Sequence, residues 1–179
     1  MRVKRLPALI LFLLTPVVIL ATVWVMQPGQ GQAALDLQQA RLAQARNQPA
    51  EAAAALERVL KKQPWRVDLY EQIGSLEMQA GNVEAALTAY EKANQQTGGL
   101  SASGFLNLAG LYIENEQLDH AKSALLFAAN SGQLSAADFE KAFQMIGEVG
   151  DAEDRQTVLN AWLIAHPRNA RVQYLNGVA

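Results

Sequence analysis

The sequence predicts an all-α chain: an N-terminal transmembrane helix followed by an α-solenoid of about four helix-turn-helix repeats and a C-terminal helix. Three observations lead there. An uncharged apolar run stands near the start, a beat of 34 to 35 residues follows it, and the composition suits helices. The 179 residues include 31 Ala and 17 Gln, both good helix formers. With no Cys, a disulfide scaffold, Cys-ligated metal and a cysteine nucleophile are excluded. Fifteen basic residues against 17 acidic ones leave no basic excess of the kind a nucleic-acid binder carries.

The first element is read from charge placement. Residues 1–32 hold Arg2, Lys4 and Arg5 and no acid, whereas the other 147 residues hold 12 basic and 17 acidic ones. From Leu6 to Met26 no residue is charged. As a helix that run would span about 31 Å, the thickness of a bilayer core. The positive cluster predicts a cytoplasmic N-terminus and an extracytoplasmic remainder. The alternative is a signal sequence cleaved near Ala33, leaving a secreted or periplasmic protein. Residues 1–26 are thus expected to be an anchor or signal sequence. Residues 27–33, which begin with Gln, Pro and Gly, are expected to be a flexible linker.

Residues 34–179 carry the beat. Ala52, Ala86 and Ala121 are each followed four residues on by Leu56, Tyr90 and Leu125, and three further on by Val59, Ala93 and Ala128. A weaker fourth copy has Arg155, Leu159 and Trp162. Turn residues keep the same step: Asn47, then Gly81 with Asn82, Glu116 with Gln117, and Gly150 with Asp151. Inside each unit the apolar spacing is helical, as in Tyr70, Ile73, Gly74 and Glu77, or Phe105, Leu108, Ala109 and Tyr112. Each unit is therefore expected to be a pair of antiparallel helices, which buries both its faces only when stacked on its neighbours. Ala86 and Ala93 should mark close helix crossings, with Gly74 facing them.

This pattern resembles the tetratricopeptide repeat (TPR) family, membrane-anchored bacterial type. Tyr70, Ile73 and Gly74, and Phe105, Leu108, Ala109 and Tyr112, match that family's first helix. Ala86, Tyr90 and Ala93, and Ala121, Leu125 and Ala128, match its second. The units start near 33, 67, 102 and 136, with a partial fifth from about 170. The departures are specific. Asp36 and Ala40 replace an aromatic and a Gly, predicting thin packing in the first unit. Phe143 and Arg155 replace two small residues in the fourth. There Arg155 must reach solvent, pair with Glu153 or Asp154, or mark a wider crossing, because a buried unpaired charge is expensive.

No residues assemble into a catalytic set. His120 is expected on a solvent-facing surface, and His166, before Pro167, at a helix end where imidazole can bond the last carbonyls. The acids around 114–119 and 151–154 fit helix starts. No enzyme activity, cofactor, metal or small-molecule substrate is expected.

In the TPR family the first helices line an inner groove that takes extended peptides or helices. By position, the resemblance implies a peptide-binding groove of Gln38, Arg41 and Gln44 in the first unit, and Glu71, Gln72, Ser75 and Gln79 in the second. Asn107, Gly110 and Glu114 follow in the third, and Glu140, Lys141 and Gln144 in the fourth. The paired basic clamp by which some TPR co-chaperones grip a terminal carboxylate has no counterpart, since Arg41 and Lys141 lie far apart. The resemblance implies a membrane-anchored, extracytoplasmic scaffold for protein–protein interaction in assembly of an envelope or membrane complex. Its partners would be a protein or peptide and the membrane through residues 6–26, not nucleic acid. Two other readings stay open: the sensing or regulatory portion of a longer enzyme or transporter subunit, and an accessory subunit held in a membrane complex by its transmembrane helix.

Overall fold

The computed structural model describes residues 30–97 and 99–178. All regular structure among them is helical: α1 (Gln30–Ala45), α2 (Pro49–Lys62), α3 (Leu69–Gln79), α4 (Val83–Thr97), α5 (Ala102–Glu114), α6 (Leu118–Asn130), α7 (Ala136–Val149), α8 (Ala152–Ala165) and α9 (Ala170–Val178). The helix α1 begins at Gln30, inside the stretch that reads as a linker, and Ala33 is fully buried.

Two expectations are corrected here. Among the described residues no helix is long and apolar enough to cross a membrane. The longest, α1, has 16 residues, or about 24 Å of helix against about 30 Å of hydrocarbon. The N-terminal transmembrane helix is therefore dropped from the fold class, and the single-pass localisation with an extracytoplasmic repeat domain goes with it. The run from residue 6 to 26, on which both rested, lies outside the described residues.

The helices pair as α1/α2, α3/α4, α5/α6 and α7/α8, and each following helix packs back on the pair before it: α3 on α2, α5 on α4, α7 on α6 and α9 on α8. The turns inside the first three pairs share one device. Asn47, Gly81 and Glu116 adopt left-handed φ of 56°, 80° and 58°. The amide one residue on then donates back across the turn: Gln48 N to Ala43 O at 2.9 Å, Asn82 N to Glu77 O at 2.9 Å and Gln117 N to Tyr112 O at 2.8 Å. This closes each helix on its own last carbonyls. The fourth turn is different. Gly150 has φ −108° and ψ 175°, and Asp151 opens α8 with a reciprocal capping box to Asp154. Gly150 is needed for space, since a β-carbon there would come within 2.9 Å of Ile146 O.

Two apolar cores result. The first joins α1, α2 and α3 and takes Ala89 from α4. The second runs from Ala86 and Tyr90 on α4 to Val172 on α9. Between them Gly74 faces the Tyr90 ring. A β-carbon on Gly74 would lie 2.8 Å from Tyr90 Cδ2, so the glycine admits the ring.

The first unit is not thinly packed at its two departures. Ala40 is buried, and Asp36, 6% exposed, takes the place of an aromatic by holding two cations of α2. Arg58 Nε lies 3.0 Å from Asp36 Oδ1, and Lys62 Nζ lies 2.5 Å from Asp36 Oδ2. The fourth unit resolves its large residues by stacking. Arg155 is exposed and pairs with neither Glu153 nor Asp154; its guanidinium lies over the Phe143 ring, 5.1 Å from the centroid.

Candidate partner-binding surface

The first helices of successive units form one wall. Among the described residues α3 touches α5 and α5 touches α7, whereas the second helices α2 and α4 do not approach one another, nor do α4 and α6. The first helices α3, α5 and α7 thus follow one another in contact, whereas among the described second helices only α6 and α8 meet.

The candidate groove residues fall into three groups. The free ones are Gln72 on α3, Glu114 on α5, and Lys141 and Gln144 on α7, all exposed; Gln79 on α3 is exposed as well but donates to Ser75. Gln38, Arg41 and Gln44 are exposed too, but α1 does not contact α3, so this trio stands apart from the wall. Its one link is Gln44, which with Gln79, Asn47 and Leu76 lines a small cleft of about 210 Å³. The third group is engaged inside the protein. Glu71 reaches across to the start of α5, where its carboxylate accepts from Ser101 N at 3.1 Å and from the Ser101 hydroxyl, while Ser101 Oγ accepts from Gly104 N. Asn107 Nδ2 donates to the Tyr90 hydroxyl at 3.1 Å, Ser75 Oγ accepts from Gln79 Nε2 at 3.4 Å, and Glu140 pairs with Arg171 of α9 at 3.2 Å. Gly110 lies under Met145, whose Cε is 3.7 Å from where a β-carbon would stand.

The sequence pattern leaves out several residues that shape this wall. Ser101 and Tyr90 fix Glu71 and Asn107 in place, and Met145 supplies an apolar patch beside Gly110. A Ser one residue before a helix signals the cap; nothing local signals that its partner sits 30 residues earlier. Behind the wall Tyr112 donates to Glu91 Oε1 at 3.2 Å. Burial first, then the Glu91 charge and the hydrogen bond, push its phenol up to about 12. The Tyr90 phenol is raised mainly by burial. Both rings stay neutral at ordinary pH.

The two histidines do not meet. His120 is exposed, with its ring 5.3 Å from that of Tyr112. His166 Nε2 lies 2.9 Å from Leu134 O, and its ring meets Phe139 edge-on at 5.7 Å. It thus ties the end of α8 to the loop before α7 instead of capping its own helix. Among the described residues no group of three or more His, Asp or Glu could hold a metal ion.

No protein-family model matches the chain, and no curated protein matches it. Among solved structures it is similar to one described as the crystal structure of MamA protein, with a TM-score of 0.63 at 18% identity over 78% of this chain and 76% of that one. The fold is TPR-like. At that identity the likeness is one of fold, and it agrees with a stack of helix pairs built by small residues at helix crossings.

Proposed function

We propose that this chain is a TPR-like scaffold that binds a protein or peptide partner along the wall of first helices and serves the assembly of a larger complex. The observation that supports the proposal is the contiguity of α3, α5 and α7, helices on which Gln72, Gln79, Glu114, Lys141 and Gln144 are exposed hydrogen-bonding groups. Long amides both donate and accept, so they suit the alternating N–H and C=O of a peptide backbone. With one cation and one carboxylate among these five, the set favours a partner of mixed or neutral charge. Asn107, Ser75 and Glu71 keep the wall rigid, and of the first-unit trio Gln44 approaches it across the cleft shared with Gln79.

Photo-crosslinking decides the matter. A crosslinking amino acid placed singly at Gln72, Glu114 or Gln144 should capture the same partner, whereas one at Thr88 or Ser123 on the second helices should not. Capture from Thr88 and Ser123 with none from the wall would refute the proposal.

A further inference from the structure

The fourth unit breaks the small-residue rule twice, at Phe143 and Arg155, and the two replacements stack on each other. Breaches of a local rule are expected at functional or strained positions. Beside the stacked pair a crevice of about 380 Å³ opens between α8 and α9, floored by Phe143, Leu159 and Leu175 and rimmed by Tyr174, which is 63% exposed. Arg155 is the one charged residue of its lining, and among the described residues no carboxylate lies within ion-pair distance of it. A guanidinium stacked on an aromatic face keeps its edge N–H donors free for a carboxylate. The crevice is therefore apolar below and carries an unanswered positive charge at its edge.

The preceding unit shows what such a place accepts. There α8 lies on α6, and Asp154, in the first turn of α8, meets Lys122 of α6 at 3.3 Å. Lys122 stands one residue past the slot on α6 that Arg155 fills on α8. A helix seated on α8 as α8 is seated on α6 would bring its own first turn to Gln156, which lines the same crevice next to Arg155. We infer that the α8–α9 crevice docks an amphipathic helix of a partner protein, one that carries Asp or Glu in its first turn for Arg155 and an apolar stripe over Phe143, Leu159, Leu175 and Tyr174. Helix-in-groove docking uses apolar anchors at i, i+3, i+4 and i+7, and a first-turn acid is favoured by the helix dipole as well. This surface is separate from the wall of first helices.

The test uses the full chain and a fluorescein-labelled 18-residue helical peptide with Asp in its first turn and Leu at that spacing, followed by anisotropy. Arg155→Glu should weaken binding by on the order of tenfold or more, and a peptide with Lys in place of Asp should recover it on the Arg155→Glu chain. Tyr174→Ala should weaken both pairings, with the helical circular dichroism of each variant unchanged. Failure of the peptide to bind, affinity indifferent to Arg155→Glu, or no recovery by the Lys peptide would overturn the inference. Loss of binding on Gln72→Ala with Gln144→Ala, at intact Arg155, would move the site to the wall and overturn it too. An Arg155-dependent dimer of the chain without peptide, seen by sedimentation, would replace the partner helix by a second copy.

Discussion

Single residues carry two kinds of strain and compensation here. Glu116 holds a left-handed φ of 58° that Gly81 fills without penalty one unit earlier. A side chain in that region costs roughly 1–2 kcal/mol, partly offset because Gly loosens the unfolded chain. Glu116→Gly should therefore raise stability by about 1 kcal/mol, read as a higher urea midpoint at unchanged slope. A midpoint that falls would mean that the Glu side chain has a folded-state role at the turn. Asp36 behaves oppositely, since its charge is wanted. The hydrogen bond from Lys62 holds its carboxyl below the ordinary 3.8, against burial and with help from Arg58. A carboxyl depressed on folding contributes stability that is present above the unfolded value and lost as pH falls through the folded one. Asp36→Asn should be less stable than the parent at neutral pH, and the gap should close in acid, as pH falls from the unfolded value through the lower folded one. Urea titrations at neutral pH and in acid check it; a gap that persists in acid would show that shape, not charge, is what Asp36 supplies.

At the level of helices, what the sequence made legible was what repeats. Small residues at Ala86, Ala93, Ala121 and Ala128 recur because helices cross closely there, and a crossing leaves the same mark in every unit. What stayed hidden is what occurs once. Asp36 finds Arg58 and Lys62 across a helix pair, Glu71 caps a helix that starts 30 residues later, and Arg155 stacks on Phe143; no period announces any of these. Of the thirteen groove candidates, the spacing located the helices that carry them. It could not tell Gln72 and Gln144, which are free, from Glu71 and Asn107, whose groups are engaged by Ser101 and Tyr90. The apolar run at 6–26 was legible as a membrane-length segment, yet the described residues contain no helix able to cross a membrane. Two helical glycines sharpen the argument about crossings. Gly74 meets the Tyr90 ring at 2.8 Å from a hypothetical β-carbon, whereas Gly110 meets only the mobile end of Met145 at 3.7 Å. Gly74→Ala should cost about 1–3 kcal/mol by overpacking, and Gly110→Ala should gain up to about 1 kcal/mol from lower chain entropy. Thermal midpoints of the two variants should move in opposite directions; a shared direction would contradict the stated contacts.

Across the whole molecule the two cores differ in kind. Seven of the twelve residues in the N-terminal core are Ala, and none is aromatic. The C-terminal core holds Tyr90, Phe105, Tyr112, Phe139 and Trp162, with Phe139 and Trp162 stacked at an interplanar angle of 3°. Burying one large apolar side chain contributes about 1.5–3 kcal/mol, and an Ala contributes a fraction of that. In a repeat array stability is close to a sum of unit and neighbour terms, so the difference is not averaged over the chain. The seam lies within the α3/α4 pair, where Ala89 faces one core and Ala86 and Tyr90 the other. Opening should therefore begin at α1 and α2 while α5 to α8 hold. Hydrogen exchange read by mass spectrometry should show peptides from residues 30–62 exchanging well before those from 102–165. The Asp36 ion cluster opposes this order, and in acid, once pH has fallen through the folded value and the carboxyl is neutralised, the lead of the N-terminal helices should widen in unfolding followed by circular dichroism. Uniform protection from α1 to α8, with a single transition at every pH, would show that the Gly74–Tyr90 contact couples the two cores strongly enough to make the stack one cooperative unit.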